Sequence, residues 1–234
     1  MGLATARQFI TEGGKVVITG RSTESVTEAA RELGPNAFAV VSDAGSMEDI
    51  LALREQVRQF TGRLDLLYVN AGFARFSPLA SAGESHFDEL FDILVKGSFF
   101  TVQQMLPLMG PGSAVVFNTS VVTEMGIENL SVYSAAKAAV QSLVKTFAAE
   151  LTEKGIRVNA VSPGYIHTNA FRNAGLSPEE IEGTIRHIAP AIPVKRFGNA
   201  GEIAAAVLFL ASPEASYVHG TELKVDAGYS IIRS

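Results

Sequence analysis

The chain has no cysteine among its 234 residues. This excludes disulfides, thiolate nucleophiles and cysteine-ligated metals. Basic residues number only 19, and the net charge of -5 argues against a nucleic-acid partner. The longest apolar run, Ile203–Ala211, is too short to cross a bilayer. No charged start followed by an apolar signal segment is present, so we expect a soluble cytoplasmic protein without membrane contact.

The remaining composition is that of one α/β domain over residues 1–234. Hydrophobic residues make up 47% of the chain, enough to bury a substantial core. Short apolar, β-branched segments alternate with helical patterns, which predicts a parallel doubly wound sheet. No internal repeat, low-complexity linker or metal-ligand pattern is visible.

The segment from Ala114 to Lys137 carries the candidate chemistry. A buried-strand pattern ends at Ser120, and Tyr133 and Lys137 follow on a predicted helix. Residues four apart share one helix face, so the ammonium is expected to lower the pKa of the phenol and make it a usable proton donor. Ser120 would bind the same substrate oxygen. On the pair alone, a surface tyrosine stacked on a lysine stem remains an open alternative.

The order of motifs around this segment resembles the short-chain dehydrogenase/reductase family. The motifs are Asn70-Ala71-Gly72, Asn118-Thr119-Ser120, Tyr133-x-x-x-Lys137, Ser162-Pro163-Gly164, Arg196-Phe197-Gly198 and Val225-Asp226-Ala227-Gly228-Tyr229. The resemblance covers the chain from Gly2 onward. It implies a Rossmann-like, three-layer α/β/α fold with strand order 3-2-1-4-5-6-7. It also implies an oxidoreductase with Ser120, Tyr133 and Lys137 as catalytic residues, assembled as a homodimer or homotetramer.

The resemblance further implies a nicotinamide cofactor. The positions that match its binding residues are Gly2, Arg21, Ser22, Asp43, Ala44, Asn70, Ala71, Gly72, Tyr133, Lys137, Pro163, Gly164, Ile166 and Thr168. Arg21 ends the second strand of the family pattern, where no acid is present. Because a basic residue there accommodates a 2'-phosphate, NADP(H) is favoured over NAD(H). Ser22 is equally typical of a helix N-cap, and Asp43 could be a cap or a cofactor contact.

Two positions depart from the family pattern. Gly2 matches the last glycine of the phosphate loop, and the first strand and the rest of that loop are absent from this sequence. Three explanations remain open: a start codon placed too late, a truncated form that repacks, or a product that has lost cofactor binding. We favour the first. The second departure is Leu94, where the family has an asparagine that participates in a helix kink and a water relay to the lysine. A slower or differently specialised enzyme is the implied consequence.

The substrate pocket is less well defined. Its predicted apolar walls are Phe73, Phe76, Met125, Ile127, Tyr165 and Phe171, with Arg75, Glu128 and Arg172 as possible polar contacts. Residues 167–193 have a weak pattern and are predicted to form a mobile lid. These features suit many carbonyl compounds and do not identify one.

Two other functions are alternatives to an oxidoreductase. A hydrolase that uses Ser120 is poorly supported, because the serine is not in Gly-x-Ser-x-Gly and no histidine has an obvious partner position. His167 and His187 are weak acid/base candidates for the same reason. A non-catalytic binding or scaffold protein on the same fold stays open, because the phosphate loop and Leu94 both depart from the enzyme pattern.

Overall fold

Parallel strands and helices alternate along the chain, as the sequence predicts. The computed structural model describes residues 1–168 and 176–232. The strands are β1 (Val16–Gly20), β2 (Ala37–Val41), β3 (Leu66–Val69), β4 (Ala114–Asn118), β5 (Arg157–Pro163), β6 (Ile166–His167), β7 (Gly198–Asn199) and β8 (Glu222–Val225). The helices are α1 (Gly2–Thr11), α2 (Thr23–Leu33), α3 (Met47–Arg58), α4 (Glu84–Phe91), α5 (Gly97–Met105), α6 (Ser131–Leu151), α7 (Pro178–Ile188) and α8 (Ala200–Ala211).

The larger sheet has the order β3-β4-β5-β8, and all of its pairs are parallel. Every residue of β4 is buried, which is typical of a parallel strand covered by helices on both faces. One core cluster joins β4 and β5 to α6 through Phe117, Val158 and Phe147. A second cluster packs α8 on the opposite face through Val116, Val161 and Ile203. These two layers around one sheet confirm the three-layer fold.

The smaller sheet consists of β1 and β2, which also pair in parallel. Among the described residues, no backbone hydrogen bonds join β1 to β3, so the sheet is interrupted between them. The interruption falls where the family pattern places its first strand. Next to it, α1 packs on α8, and its first residue lies beside the end of β3. A Cβ atom on Gly2 would come within 3.0 Å of Asn70 Nδ2.

The long helical segment that begins at Glu84 is divided in two. A π turn, Asp92–Lys96, separates α4 from α5, and a short 3₁₀ turn follows α5. Such π turns are a known cause of helix kinks. The π turn therefore forms with Leu94 inside it and does not require an asparagine side chain. Gly97 permits the close approach of the loop between β2 and α3, because a Cβ atom there would lie 2.1 Å from the Ala44 carbonyl oxygen.

The segment predicted to be a weakly patterned lid contains a regular helix, α7. Its N-terminus carries a capping box, in which the Ser177 hydroxyl accepts from the Glu180 amide and the Glu180 carboxylate accepts from the Ser177 amide. All of its residues are at least partly exposed. Phe171 and Arg172 lie outside the described residues. Within the described ranges, none of the helices is long and apolar enough to cross a membrane.

Candidate active site

The carboxyl ends of the parallel strands meet at one edge of the sheet, which is where open α/β folds bind ligands. Asn118 ends β4, and its Nδ2 atom lies 3.5 Å from Oδ1 of Asn70 at the end of β3. The Asn118 Oδ1 atom is buried and has no hydrogen-bond partner within the described part of the chain. Beyond Asn118, the Thr119 amide donates to the Val161 carbonyl of β5 at 2.9 Å. The strand end that leads to Ser120 is thus held on both sides.

The three predicted catalytic residues come together at this edge. The Ser120 hydroxyl lies close enough to the Tyr133 phenol to lower its pKa. Lys137 lies one turn further along α6, with its Nζ atom 5.8 Å from the centroid of the Tyr133 ring. The ammonium donates to the Asn118 carbonyl oxygen at 2.6 Å. The structure therefore places serine, tyrosine and lysine in one cluster, built from the end of β4 and the start of α6.

The charges in this cluster differ from the prediction made from spacing alone. Burial raises the pKa of Tyr133 to about 12, and the nearby Ser120 hydroxyl offsets only part of this rise. Burial also lowers the pKa of Lys137 to about 8. The prediction that Lys137 lowers the pKa of Tyr133 is therefore wrong for the protein's own atoms, because desolvation favours the neutral form of both groups. A phenol that keeps its proton at neutral pH is, however, in the state needed to donate it.

Leu94 supplies part of this apolar environment. Its side chain is 1% exposed and packs with Val132 and Ala136 of α6, the latter adjacent to Lys137. On its other side it meets Gly72, which has φ 150° and whose added Cβ atom would lie 2.3 Å from Leu94 Cδ2. Leucine thus fills the space between the end of β3 and α6 with hydrocarbon. This packing is consistent with the desolvation of the lysine.

The predicted cofactor residues on the smaller sheet have local structural roles as well. Arg21 follows β1, is exposed, and forms no salt bridge within residues 1–168 and 176–232. The Ser22 hydroxyl accepts from the Ser25 amide at 3.2 Å and caps α2. The Asp43 carboxylate accepts from the Gly45 amide at 2.8 Å and stabilises the turn before α3. Of the two predicted contacts with the 2'-phosphate, Ser22 caps α2, and Arg21 has no salt-bridge partner in the described ranges.

The end of β5 forms the other side of the edge. A Cβ atom on Gly164 would come 2.7 Å from Asp226 Cβ, so only glycine fits beside the turn after β8. Ile166 is buried and begins β6, which pairs with β7, and Thr168 follows β6. Tyr165 packs against Phe197 and Tyr229, with ring centroids 5.3 Å and 5.2 Å apart. Pro163, Gly164 and Ile166 thus form a closely packed wall.

The predicted substrate contacts are only partly available. Arg75 forms a salt bridge with Glu89 and lies over the Phe73 ring, 5.2 Å from its centroid. This arginine is therefore already engaged by the protein. Phe76 is 48% exposed, Glu128 is exposed, and Met125 and Ile127 are partly exposed. His167 and His187 are exposed too. The structure places Phe73 in the cluster around Leu94 and Tyr133.

One polar group near the site was missed by the sequence analysis. Glu222 of β8 accepts hydrogen bonds from Thr119, next to Ser120, and from Gln141 of α6. Gln141 is four residues beyond Lys137, so its position on the same helix stripe is visible in the sequence. Glu222 is separated from Thr119 by about a hundred residues, and no spacing pattern connects them.

Comparisons with known proteins agree with this fold. The family model described as Enoyl-(Acyl carrier protein) reductase matches residues 1–230. Oxidoreductase asL5 from Sarocladium schorii is 37% identical over 235 residues, which are 99% of this chain and 92% of that protein. RhlG from Pseudomonas aeruginosa, solved with NADP, has TM-score 0.89 at 27% identity and covers 98% of this chain and 92% of its own. A 3-ketoacyl-(acyl-carrier-protein) reductase from Brucella melitensis, solved with NADH, has TM-score 0.90 at 28% identity, with coverages of 98% and 93%.

The chain therefore belongs to the short-chain dehydrogenase/reductase family of oxidoreductases. The two solved relatives were crystallised with different nicotinamide cofactors, one with NADP and one with NADH.

Proposed function

We propose that this protein transfers a hydride between NADP(H) and a carbonyl compound or secondary alcohol. The observation that supports this most directly is the cluster in which the Ser120 hydroxyl lies near the Tyr133 phenol while the Lys137 ammonium lies beside the same ring. These are the groups needed to protonate and orient a substrate oxygen. Membership in a family of oxidoreductases supports the same class of reaction.

The residues at the sheet edge fit a nicotinamide dinucleotide. The lysine ammonium has three donors, and among the described residues its hydrogen bond goes to Asn118 O alone, so two donors are available for ribose hydroxyls. Gly72 and Gly164 let Leu94 and Asp226 pack closely against the backbone at this edge. The positive end of the α1 dipole begins beside Asn70, at the same edge, and suits a pyrophosphate. The cofactor would supply or accept the hydride.

In the reducing direction, Tyr133 would donate its proton to the substrate oxygen as that oxygen gains charge, and Ser120 would hold the oxygen by a hydrogen bond. Lys137 would hold the ribose and lie next to the phenol. Because burial raises the pKa of Tyr133 to about 12, the phenol is protonated at neutral pH and ready to act as an acid. Alcohol oxidation requires the phenolate, so we expect that direction to accelerate as the pH rises.

The preference for NADP(H) is part of the proposal and rests on Arg21. Its exposed guanidinium follows β1, at the point where this fold selects between a ribose hydroxyl and a 2'-phosphate. A guanidinium donates to a phosphate in a fixed, two-pronged geometry. The neighbouring Ser22 hydroxyl already caps α2, so it would contribute to the phosphate only in addition to its cap.

We also propose that two copies associate through the outer face of α4, α5 and α6. An apolar depression on this face is lined by Phe91, Asp92, Val95, Lys96, Phe99, Phe100 and Leu143. A neighbouring depression includes the exposed side chains Leu79 and Phe87. Contiguous exposed apolar surface of this kind marks protein interfaces. Sedimentation velocity should show a dimer or tetramer, and a monomer at micromolar concentration would contradict this assignment.

The test of the catalytic proposal is a panel of carbonyl compounds, with NADPH consumption followed by absorbance. Replacing Tyr133 with phenylalanine should lower turnover by at least about 100-fold, because the proton donor is lost. NADPH binding, measured by nicotinamide fluorescence, should be nearly unchanged. Tyr217→Phe is the matched control, since that ring is fully exposed at 102%. Retained turnover in Tyr133→Phe would refute the role of the phenol, and no NADPH binding by the unaltered protein would support a non-catalytic function.

A further inference from the structure

Glu222 lies on β8 and contacts two elements of the active site with its two carboxylate oxygens. One oxygen accepts a hydrogen bond from the Thr119 hydroxyl, and the other accepts from Gln141 Nε2 at 2.6 Å. Thr119 immediately precedes Ser120 and is 2% exposed. We propose that Glu222 is a positioning residue, which holds the strand end carrying Ser120 at a fixed place relative to the helix carrying Tyr133. This inference rests on the proposed function.

The contact to α6 falls on the stripe that carries the chemistry. Tyr133, Lys137 and Gln141 are spaced by four residues and therefore lie one above another on the same face of the helix. A bond to Gln141 thus restrains the rotation and axial position of the helix face that presents the phenol. The same carboxylate restrains Thr119. One side chain of β8 therefore links the two elements whose separation sets the distance between Ser120 and Tyr133.

The backbone places Glu222 for this role. Strand β8 pairs with β5 so that Glu222 is opposite Ala160, one residue before the Val161 carbonyl. The Thr119 hydroxyl also lies 2.9 Å from that carbonyl and shares its single hydrogen between the two acceptors, so Thr119 contacts both β5 and β8. Without the carboxylate, Thr119 would keep its bond to Val161 while α6 would lose its tie to the strand end. Removal of the carboxylate would therefore change the distance between Ser120 and Tyr133 more than it would change the pairing of the strands.

A second contact from β8 lies on the other side of Ser120. Lys224, two residues after Glu222 and on the same face of the strand, forms a salt bridge with Glu124 at the end of the turn after Ser120. The Lys224 side chain is 32% exposed and the Glu124 side chain 36%, so solvent weakens this salt bridge. The serine is therefore bracketed by two contacts from one strand, of which the Glu222 contact is the better protected.

The experiment compares Glu222→Ala with Glu222→Gln. Alanine removes both contacts. Glutamine keeps both, because its oxygen accepts from Gln141 and its amide group donates to Thr119, whose hydroxyl then donates only to Val161. We expect kcat to fall about tenfold in Glu222→Ala with KM for NADPH changed less than about twofold, as for a small misplacement of reacting groups. Glu222→Gln should recover to within about threefold of the unaltered protein.

Two readouts separate positioning from a merely structural role. The primary isotope effect with 4-deuterated NADPH should rise in Glu222→Ala, because hydride transfer becomes more rate-limiting. Hydrogen exchange of residues 114–124, followed by mass spectrometry, should accelerate in the alanine variant and not in the glutamine variant. Glu28→Ala, which breaks an exposed pair with Arg31 on α2, is the control and should change neither measurement.

An unchanged kcat in Glu222→Ala would overturn the inference, as would equal losses in the alanine and glutamine variants. If the unaltered protein shows no NADPH-dependent turnover with any carbonyl compound, that result counts against the proposed function itself. In that case hydrogen exchange still decides whether Glu222 holds the segment around Ser120. Equal exchange in all variants would overturn this inference as well.

Discussion

The two sheets are built from similar residues but are buried to different degrees. Val115, Val116 and Phe117 of β4 are 0% exposed, whereas most of β2 is only partly buried and Val41 is 45% exposed. Both strands are short, apolar and β-branched, and both pair in parallel. The difference is in their neighbours, because β4 is paired on both edges, and the smaller sheet ends at the interruption between β1 and β3. Burial of a strand thus depends on what lies beside it more than on its composition.

The proposed catalytic residues and the proposed cofactor-selecting residue also lie on different sheets. Ser120 and the acceptor of Lys137 are at the end of β4, in the fully packed sheet. Arg21, the proposed cofactor-selecting residue, follows β1 in the smaller sheet. Groups that transfer a proton must be held at a fixed distance from each other, because a small displacement lowers the reaction rate strongly. Contact with a phosphate tolerates a longer and more exposed side chain.

A pair of phenylalanine substitutions tests this contrast most strongly. Phe117→Ala should lower the free energy of unfolding by about 4 kcal/mol, because it leaves a cavity in the fully buried core. Phe38→Ala, in β2, should cost about 1–2 kcal/mol, because this ring is partly exposed and stacks on Phe60 at 4.7 Å. Urea denaturation measures both. Equal losses would show that the two sheets are equally well packed.

Substitution of Lys137 measures how much the burial of a cation beside the larger sheet lowers the free energy of unfolding. Burial lowers the pKa of Lys137 from 10.5 to about 8, so between these values the unfolded chain binds the proton that the folded chain does not. The stability contributed by this group is therefore lowest below about pH 8 and rises with pH towards 10.5. Lys137→Met should then stabilise the ligand-free protein at pH 7 by about 1–3 kcal/mol while abolishing turnover.

The advantage of Lys137→Met over the unaltered protein should shrink as the pH rises from 8 to 10. The measurements stop at pH 10, the ordinary pKa of a phenol. Above it the unfolded chain loses the Tyr133 proton while the folded protein, with its raised pKa, keeps it, so the folded state becomes less stable as the pH rises. Lys145→Met is the control, since Lys145 is exposed on the same helix. Thermal unfolding across this pH range provides the measurement. A pH-independent difference would mean that Lys137 is not desolvated.

The smallest expected effect is a change in cofactor affinity on substitution of Arg21, which follows β1 of the smaller sheet. Arg21→Ala should weaken NADPH binding about tenfold and leave NADH binding unchanged, because only the 2'-phosphate contact is lost. Arg31→Ala, an exposed arginine of α2 paired with Glu28, should change neither affinity. Fluorescence titration with the two cofactors measures this. Equal weakening for NADPH and NADH would place Arg21 away from the 2'-phosphate.

Local features of the structure were predictable from the sequence. Ser22 caps α2, as its position before a helical pattern indicates. The spacing of Tyr133 and Lys137 predicted that both lie on one helix face beside Ser120, and the structure brings these residues together. The buried character of β4 also followed from its unbroken apolar run. Each of these depends on residues close together in the chain.

Other features depended on distant contacts and were not predictable. The sign of the pKa shift at Tyr133 was wrong, because the expectation considered the neighbouring charge and not the burial of both groups. The π turn around Leu94 was missed as well, since it accommodates close packing against Gly72 and the Ala44 loop. The bonds of Glu222 join segments more than a hundred residues apart or on separate elements.

The amino-acid order alone determined the alternation of strands and helices and the identity of the serine, tyrosine and lysine that form the candidate site. Periodicity and motif spacing record such local relations directly. Only the tertiary structure decided how dry that site is, which protonation states its groups prefer, and that Glu222 of the last strand links its two halves. These properties arise from atoms that become neighbours when the chain folds, so no short stretch of sequence contains them.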